Sequence, residues 1–205
     1  MGLSVDLSRV QGYLEWLKTK VYLDYNSIRA RGRRVKRGEV YRCNLGKGVG
    51  SEECKERPCV IIQYDAGNAY SPNTIVAPIT HSSSNLPIVV KIEDKKDSSG
   101  KVILDGNVLL GNIVCVSKGR LGELITKLDD NEMKKVDEAI AISLGIKYYY
   151  DKLFNIYNDK LDYIKKLKDK ENYIIEDLNE INNLKKKLGV SNTKELVEKI
   201  NLMLD

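Results

Sequence analysis

"RPCVIIQYDAGN", residues 57–68, opens on an arginine and a proline, climbs into an apolar run and ends in turn residues. Five residues on, "TIVAPITHSSS" (74–84) rises in the same way and finishes on Thr80, His81 and three serines. Both runs have strand length, β-branched content and turn formers at their ends, so they read as neighbouring strands. One begins at an arginine and the other stops at a cluster of hydroxyls. These are ordinary strand ends, or two polar groups brought together at one edge of a sheet.

Working outward, the same β-type pattern holds from Gly38 to about Lys127, in "EVYRCNL", "PIVVKIE" and "NVLLGNIVCVS" as well. Turn signals separate the runs: Gly46, Gly48 and Gly50, then Ala66-Gly67-Asn68, Ser71-Pro72-Asn73 and Ser98-Ser99-Gly100. Many short strands at this spacing predict a small barrel, not alternating βαβ units. Before it, residues 4–27 read as an amphipathic helix. Val10, Tyr13, Leu14, Leu17 and Val21 form one stripe, widened by Trp16 and Tyr22. Gly32 separates this helix from the strands.

After the barrel, "LDDNEMKKVDEAIAISLGI" (128–146) returns to helical period, with Asp130 as the N-cap and Met133, Val136, Ile140 and Leu144 as the buried stripe. From Tyr150 a seam alternates by three and four residues as far as Leu188. It is apolar at most positions and interrupted at Lys160, Glu171 and Lys185. Such a seam packs on another copy of itself or on the N-terminal helix. Gly189 ends it, and Asn192 with Glu195 opens a short last helix with a capping-box spacing. The expected organisation is an N-terminal helix and basic linker over 1–34, a barrel domain over 35–146 and a helical extension over 147–205.

The 205 residues suffice for one good core with helical appendages. A charged content of 31% and sustained periodicity exclude a disordered chain, and no run approaches the roughly 18 apolar residues of a spanning helix. "MGLSVD" lacks the basic and apolar regions of a signal peptide, and Asp6 sits where myristoylation needs Ser or Thr. The expectation is a soluble cytoplasmic protein with no membrane partner.

Charge is uneven. Residues 1–37 carry 9 Lys and Arg against 3 Asp and Glu, residues 38–146 carry 13 against 15, and residues 147–205 carry 12 against 11. The excess is "RARGRRVKR" (29–37), either a phosphate-attracting run or a solvated basic linker.

Several chemistries drop out. His81 is the single histidine and no GxSxG elbow accompanies it. "GKGVGS" (46–51) lacks the ending of a nucleotide cradle and precedes a strand. Glu52-Glu53 and Asp129-Asp130 read as solvated surface. Cys59 and Cys115 read as buried small hydrophobes, while Cys43 and Cys54 could pair with each other or with Cys59. No zinc-like spacing appears, and no metal or cofactor is expected. Arg57 and Thr80 are left. An arginine fork suits phosphate oxygens, and a threonine hydroxyl can donate to the same group. Together they can stabilise the charge that builds on an attacked phosphodiester. That suits RNA, whose 2′-hydroxyl is an internal nucleophile.

The segments "RGEVY", "GSE" followed by "RP", "VIIQYDAGN", "SPNTIVAPIT" and "KVDEAIAISL" resemble, in order and spacing, the MazF/PemK family of toxin endoribonucleases, over residues 35–146. The resemblance implies an α+β fold, a small SH3-like barrel that forms a homodimer. It implies metal-independent cleavage of single-stranded RNA to 2′,3′-cyclic phosphate and 5′-hydroxyl ends, and a cognate antitoxin that occupies the RNA groove. The family's catalytic arginine and threonine fall on Arg57 and Thr80. Ser51 and Glu52 would flank the RNA, and His81 and Ser82 would line the same groove. Where many relatives read Glu-Gln-Ile-Arg, this chain has Gly111-Asn112-Ile113-Val114. Asn112 can still bind a base, whereas Val114 removes a cation that the basic run 29–37 could replace. The alternative is a non-catalytic binding module of the same fold, which also hosts gyrase poisons.

Overall fold

The computed structural model describes residues 6–204, so residues 4 and 5 of the expected first helix lie outside the described residues. Two compact units are present, Met1–Lys147 and Tyr148–Asp205. In the first unit, helix α1 (Leu7–Ala30) leads into β1 (Glu39–Gly46), β2 (Lys55–Ile61), a short helix α2 (Asp65–Tyr70) and β3 (Asn73–Thr80). Then come β4 (Val89–Lys91), β5 (Lys95–Lys96), β6 (Val102–Leu104), β7 (Asn107–Leu109), β8 (Val114–Ser117), a 3-10 turn (Lys118–Arg120), β9 (Leu121–Lys127) and α3 (Asp130–Ser143).

Seven strands form one antiparallel sheet in the order β4-β7-β3-β2-β1-β9, with β8 also on β3, while β5 and β6 make a separate hairpin. Strand β3 is the pivot. Its first half pairs with β8, its middle with β2, and Ile79 and Thr80 turn to pair with β7. This is the mixed helix and antiparallel-sheet architecture that the strand pattern predicts.

Period-2 alternation explains why the central strands are apolar throughout. Val60 of β2, Val40 of β1 and Ala77 of β3 enter one core cluster with Val136 and Ala139 of α3. Their neighbours Cys59, Ile61, Tyr41, Cys43 and Val76 enter a second cluster on the opposite face. A strand buried on both sides cannot show an alternating sequence.

Several expectations are corrected. "NVLLGNIVCVS" is two strands, because the turn around Gly111-Asn112 breaks it. Ala66-Gly67-Asn68 is helical in α2, where buried Asn68 accepts from Thr74 and donates to Gln63 O. The N-cap of α3 is Asp129, not Asp130. It makes a full capping box with Glu132, which is itself buried and accepts from Glu93 N and Lys95 Nζ. Ala139 is buried in α3, whereas Leu144 is exposed. Cys115 is exposed and Cys43 is buried beside Cys59, so the buried thiols are 43 and 59; all four thiols are free. The hydrogen bond to Cys43, followed by burial, pushes the Cys59 thiol far up.

Helix α1 packs through one edge of the expected stripe, at Trp16, and leaves most of the rest exposed. Leu14, Leu17 and Val21 are exposed. Trp16 instead lies against Gly46, and Arg120 stacks over its indole. Gly46 has φ +92, and an added Cβ would fall 2.3 Å from the indole, so only glycine admits this approach. The basic run is partly consumed by the fold. Arg33 donates to Leu121 O and Gly122 O and stacks on Tyr41, and Arg37 binds Ile62 O and Asp137.

In the second unit, α4 (Lys147–Leu188) runs for 42 residues with no buried residue, and α5 (Thr193–Leu204) follows. Gly189, at φ +65, terminates α4. Asn192 Oδ1 accepts from Glu195 N, while the Glu195 carboxylate accepts from Ser191 N, one residue before the expected partner. Among the described residues no helix is long and apolar enough to cross a membrane.

Candidate active site

Arg57 enters β2 three positions after Cys54, and its guanidinium is held at the base. Nε donates to Cys54 O at 3.2 Å and lies 2.6 Å from Glu53 Oε2. Glu53 has only 18% of its side chain exposed, and its Oε2 makes no directed hydrogen bond, so the contact with Arg57 is chiefly ionic. Both contacts use Nε, which leaves the terminal nitrogens of the fork for a ligand. Reading Glu52-Glu53 as solvated surface is therefore wrong for Glu53. Glu52 is exposed and accepts from Val49 N, which tightens the turn carrying Ser51.

Thr80 ends β3 almost fully buried, with its Oγ1 3.4 Å from the N–H of Ser82. Gly106 presses on it: a Cβ there would lie 2.5 Å from Thr80 O, and its φ is +114. The β2–β3 ladder pairs Ile61 with Val76 and Cys59 with Pro78. The ladder ends there, and Arg57 and Thr80 stand two residues beyond it, each on its own strand; Arg57 pairs with Cys43 of β1 and Thr80 with Asn107 of β7. Cross-strand partners in an antiparallel pair share a face. The alternation along each strand places Arg57 and Thr80 on the side of Cys59, Ile61 and Val76, away from α3.

A cleft of about 410 Å³ opens beside Glu53, over Leu45 and Val116 of the second core cluster. Glu52, Asn112 and Val114 line it together with two cations, Lys47 and Arg120. Those two supply positive charge beside Val114, and no residue of 29–37 lines the cleft. Sequence reading missed them because their position depends on the turn after β1 and on the 3-10 turn. Ser51, His81 and Ser82 are exposed and lie outside this cleft. His81 Nε2 is 3.0 Å from Asp105 Oδ1, and Ser82 O accepts from Asn107 Nδ2. Of the seven expected residues, the cleft joins only Glu52 and Asn112; Arg57 and Thr80 lie outside its lining on the neighbouring strands β2 and β3, His81 and Ser82 follow the end of β3, and Ser51 stands on its own turn. Among the described residues no three His, Cys, Asp or Glu side chains converge as a metal site would require.

Residues 36–144 match the model of the PemK-like, MazF-like toxins of type II toxin–antitoxin systems. Endoribonuclease EndoA of Bacillus subtilis is 45% identical over 114 residues, which is 55% of this chain and 96% of the relative. Among solved structures, an endoribonuclease in complex with its cognate antitoxin from a mycobacterial species is 27% identical, with a TM-score of 0.46. It covers 55% of this chain and 96% of its own. MazF from Deinococcus radiodurans is 19% identical with a TM-score of 0.47, covering 54% and 96%.

Proposed function

The chain belongs to the PemK-like, MazF-like toxins of type II toxin–antitoxin systems, and from that premise we propose that it is an endoribonuclease cutting single-stranded RNA at short sequence sites. The relative from Bacillus subtilis bears the name of such an enzyme, and its match covers nearly its whole length. The observation that supports the reading is the β2–β3 pairing, whose last pair, Cys59 with Pro78, lies two residues from Arg57 on one strand and two from Thr80 on the other.

In this reading the ribose 2′-hydroxyl attacks the adjacent phosphorus and loses its proton. The O2′–P bond forms, the P–O5′ bond breaks, and the 5′-oxygen leaves protonated. Products are a 2′,3′-cyclic phosphate and a 5′-hydroxyl. Arg57 meets the charge that builds on the phosphorane, and Thr80 donates to a phosphate oxygen. The internal nucleophile comes at high effective molarity, so fixed donors suffice and the scheme calls on no metal. Asn112, with Ser51 and Glu52 on the neighbouring turn, contacts the RNA along the cleft, and His81 and Ser82 extend the surface past Thr80. Lys47 and Arg120 attract the backbone there. The enzyme acts on cytoplasmic mRNA as a homodimer, and its partner is an antitoxin whose acidic, apolar segment fills the same cleft.

The test is a long single-stranded RNA incubated with wild type and Arg57→Ala in EDTA, with cut sites and product ends mapped. Cutting at a short motif that falls by about 10²–10³-fold in the variant is the expected result. A folded wild-type protein that leaves every RNA intact overturns the reading.

A further inference from the structure

Helix α4 presents its seam to solvent from Tyr150 to Leu178. Leu153 is 70% exposed, Tyr157 58% and Ile174 59%, and none of its 42 residues is buried. An apolar stripe of this length is an interaction surface. Its first two polar interruptions say what covers it. Lys160 and Glu171 lie at equal distances on either side of the midpoint between Lys165 and Lys166.

We propose that α4 pairs with α4 of a second copy as an antiparallel coiled coil centred on that midpoint, with Lys160 of each chain against Glu171 of the other. In antiparallel coiled coils the first and fourth heptad positions of one helix meet the fourth and first of its partner. The register that joins Lys160 to Glu171 also joins Ile164 to Leu167, Tyr157 to Ile174 and Leu153 to Leu178. Every other pair between Leu153 and Leu178 is therefore apolar on apolar. The overlap runs for between three and four heptads, roughly 39 Å, enough for a specific seam.

The alternatives conflict with the charges. A parallel in-register pair sets Lys160, Glu171 and Lys185 each against its own copy, three like-charge contacts inside the seam. Sliding the antiparallel pair by one heptad sets both Lys160 and Glu171 against apolar residues, Leu178 and Leu167 in one direction and Ile164 and Leu153 in the other. A buried polar position commonly fixes register and orientation at some cost in stability. Here one complementary pair, used twice by symmetry, selects a single arrangement. Toward the end of the helix Ile181, Lys185 and Leu188 are already partly covered, so the free stretch coincides with the symmetric one.

Charge reversal in the full chain tests this by sedimentation. Lys160→Glu alone and Glu171→Lys alone each place two like-charge pairs in the dimer seam. Each weakens α4 pairing at least tenfold, so that the α4 helices melt at lower temperature by circular dichroism, and any assembly beyond the barrel homodimer falls back to it. The double reversal restores the pairs and the wild-type mass. Both positions are exposed in the single chain, so folding is preserved, and the double variant controls for it. Single reversals that leave both the mass and the melting of the α4 helices unchanged overturn the proposal. So does a double variant that fails to recover, the result for pairing with α1 or any partner lacking the complementary charge. RNA cleavage is a separate readout, so failure here leaves the nuclease reading standing.

Discussion

At the scale of single residues, Arg57 is a strand residue held by the loop before it. Its Nε sits between Cys54 O and the Glu53 carboxylate, so the plane of the fork is set before any ligand arrives. The same carboxylate also competes with a phosphate for the guanidinium charge. These two effects separate by substitution. Glu53→Gln keeps the side-chain volume beside Nε and the Cys54 O anchor and removes the negative charge, so KM for RNA falls while kcat is retained. Glu53→Ala removes that volume as well, and kcat falls between about 10- and 100-fold, the scale of a small misplacement. Steady-state kinetics on one short RNA substrate reads both. Equal kcat for wild type and Glu53→Ala would show that Glu53 does not position Arg57. Arg57 and Thr80 stand out in the sequence as candidates because they begin and end clear apolar runs. Glu53 was illegible, since its burial depends on how the chain returns from the Gly48–Glu52 turn.

At the scale of elements, α3 shows the limit of pattern reading. Its period is plain, but Asp129 and Asp130 are equivalent candidates until Glu132 chooses one. Glu132 Oε2 accepts from Asp129 N at 3.0 Å and from Lys95 Nζ at 2.7 Å, which ties the helix start to the β5–β6 hairpin. The backbone N–H of Glu132, ahead of that of Asn131 and the Lys95 ammonium, holds the Asp129 carboxyl below the usual range. Burial opposes the charged form of Lys95, but its pairs with Glu132 and Asp129 overcome this and raise it. A carboxyl depressed in the fold stabilises above its unfolded value of about 3.9 and ceases to do so as pH falls through the folded value. Asp129→Ala therefore lowers Tm at neutral pH, and the gap from wild type closes below about pH 4. A gap that persists in acid would locate the loss in packing and not in the cap. Helix α1 was only partly legible for a related reason. The expected stripe is wide, and the choice of its Trp16 edge rests on Gly46 at the end of β1, far beyond the reach of any local signal.

On the scale of the whole molecule, the question is which part of the chain holds the activity. Every member of both core clusters lies between Val35 and Ile140, inside the first unit. The second unit contributes 11 cations against 11 anions, so it adds almost nothing to the field that draws RNA. Its sequence shows a seam without a partner, and no length of periodic pattern states whether the cover is the same helix, another copy or α1. The charges at Lys160 and Glu171 carry that information, because only a symmetric antiparallel pair satisfies both at once. A chain ending at Lys147 should then retain the thermal transition of the barrel and the RNA cut pattern of the full chain. It should assemble to the same number of copies as the single charge-reversal variants, since both lose the same contact. Mapped cut sites, a melting curve and a sedimentation run on this one protein check all three. A truncated chain that stays folded yet no longer cuts would assign the helical unit a part in holding RNA, which its balanced charge argues against.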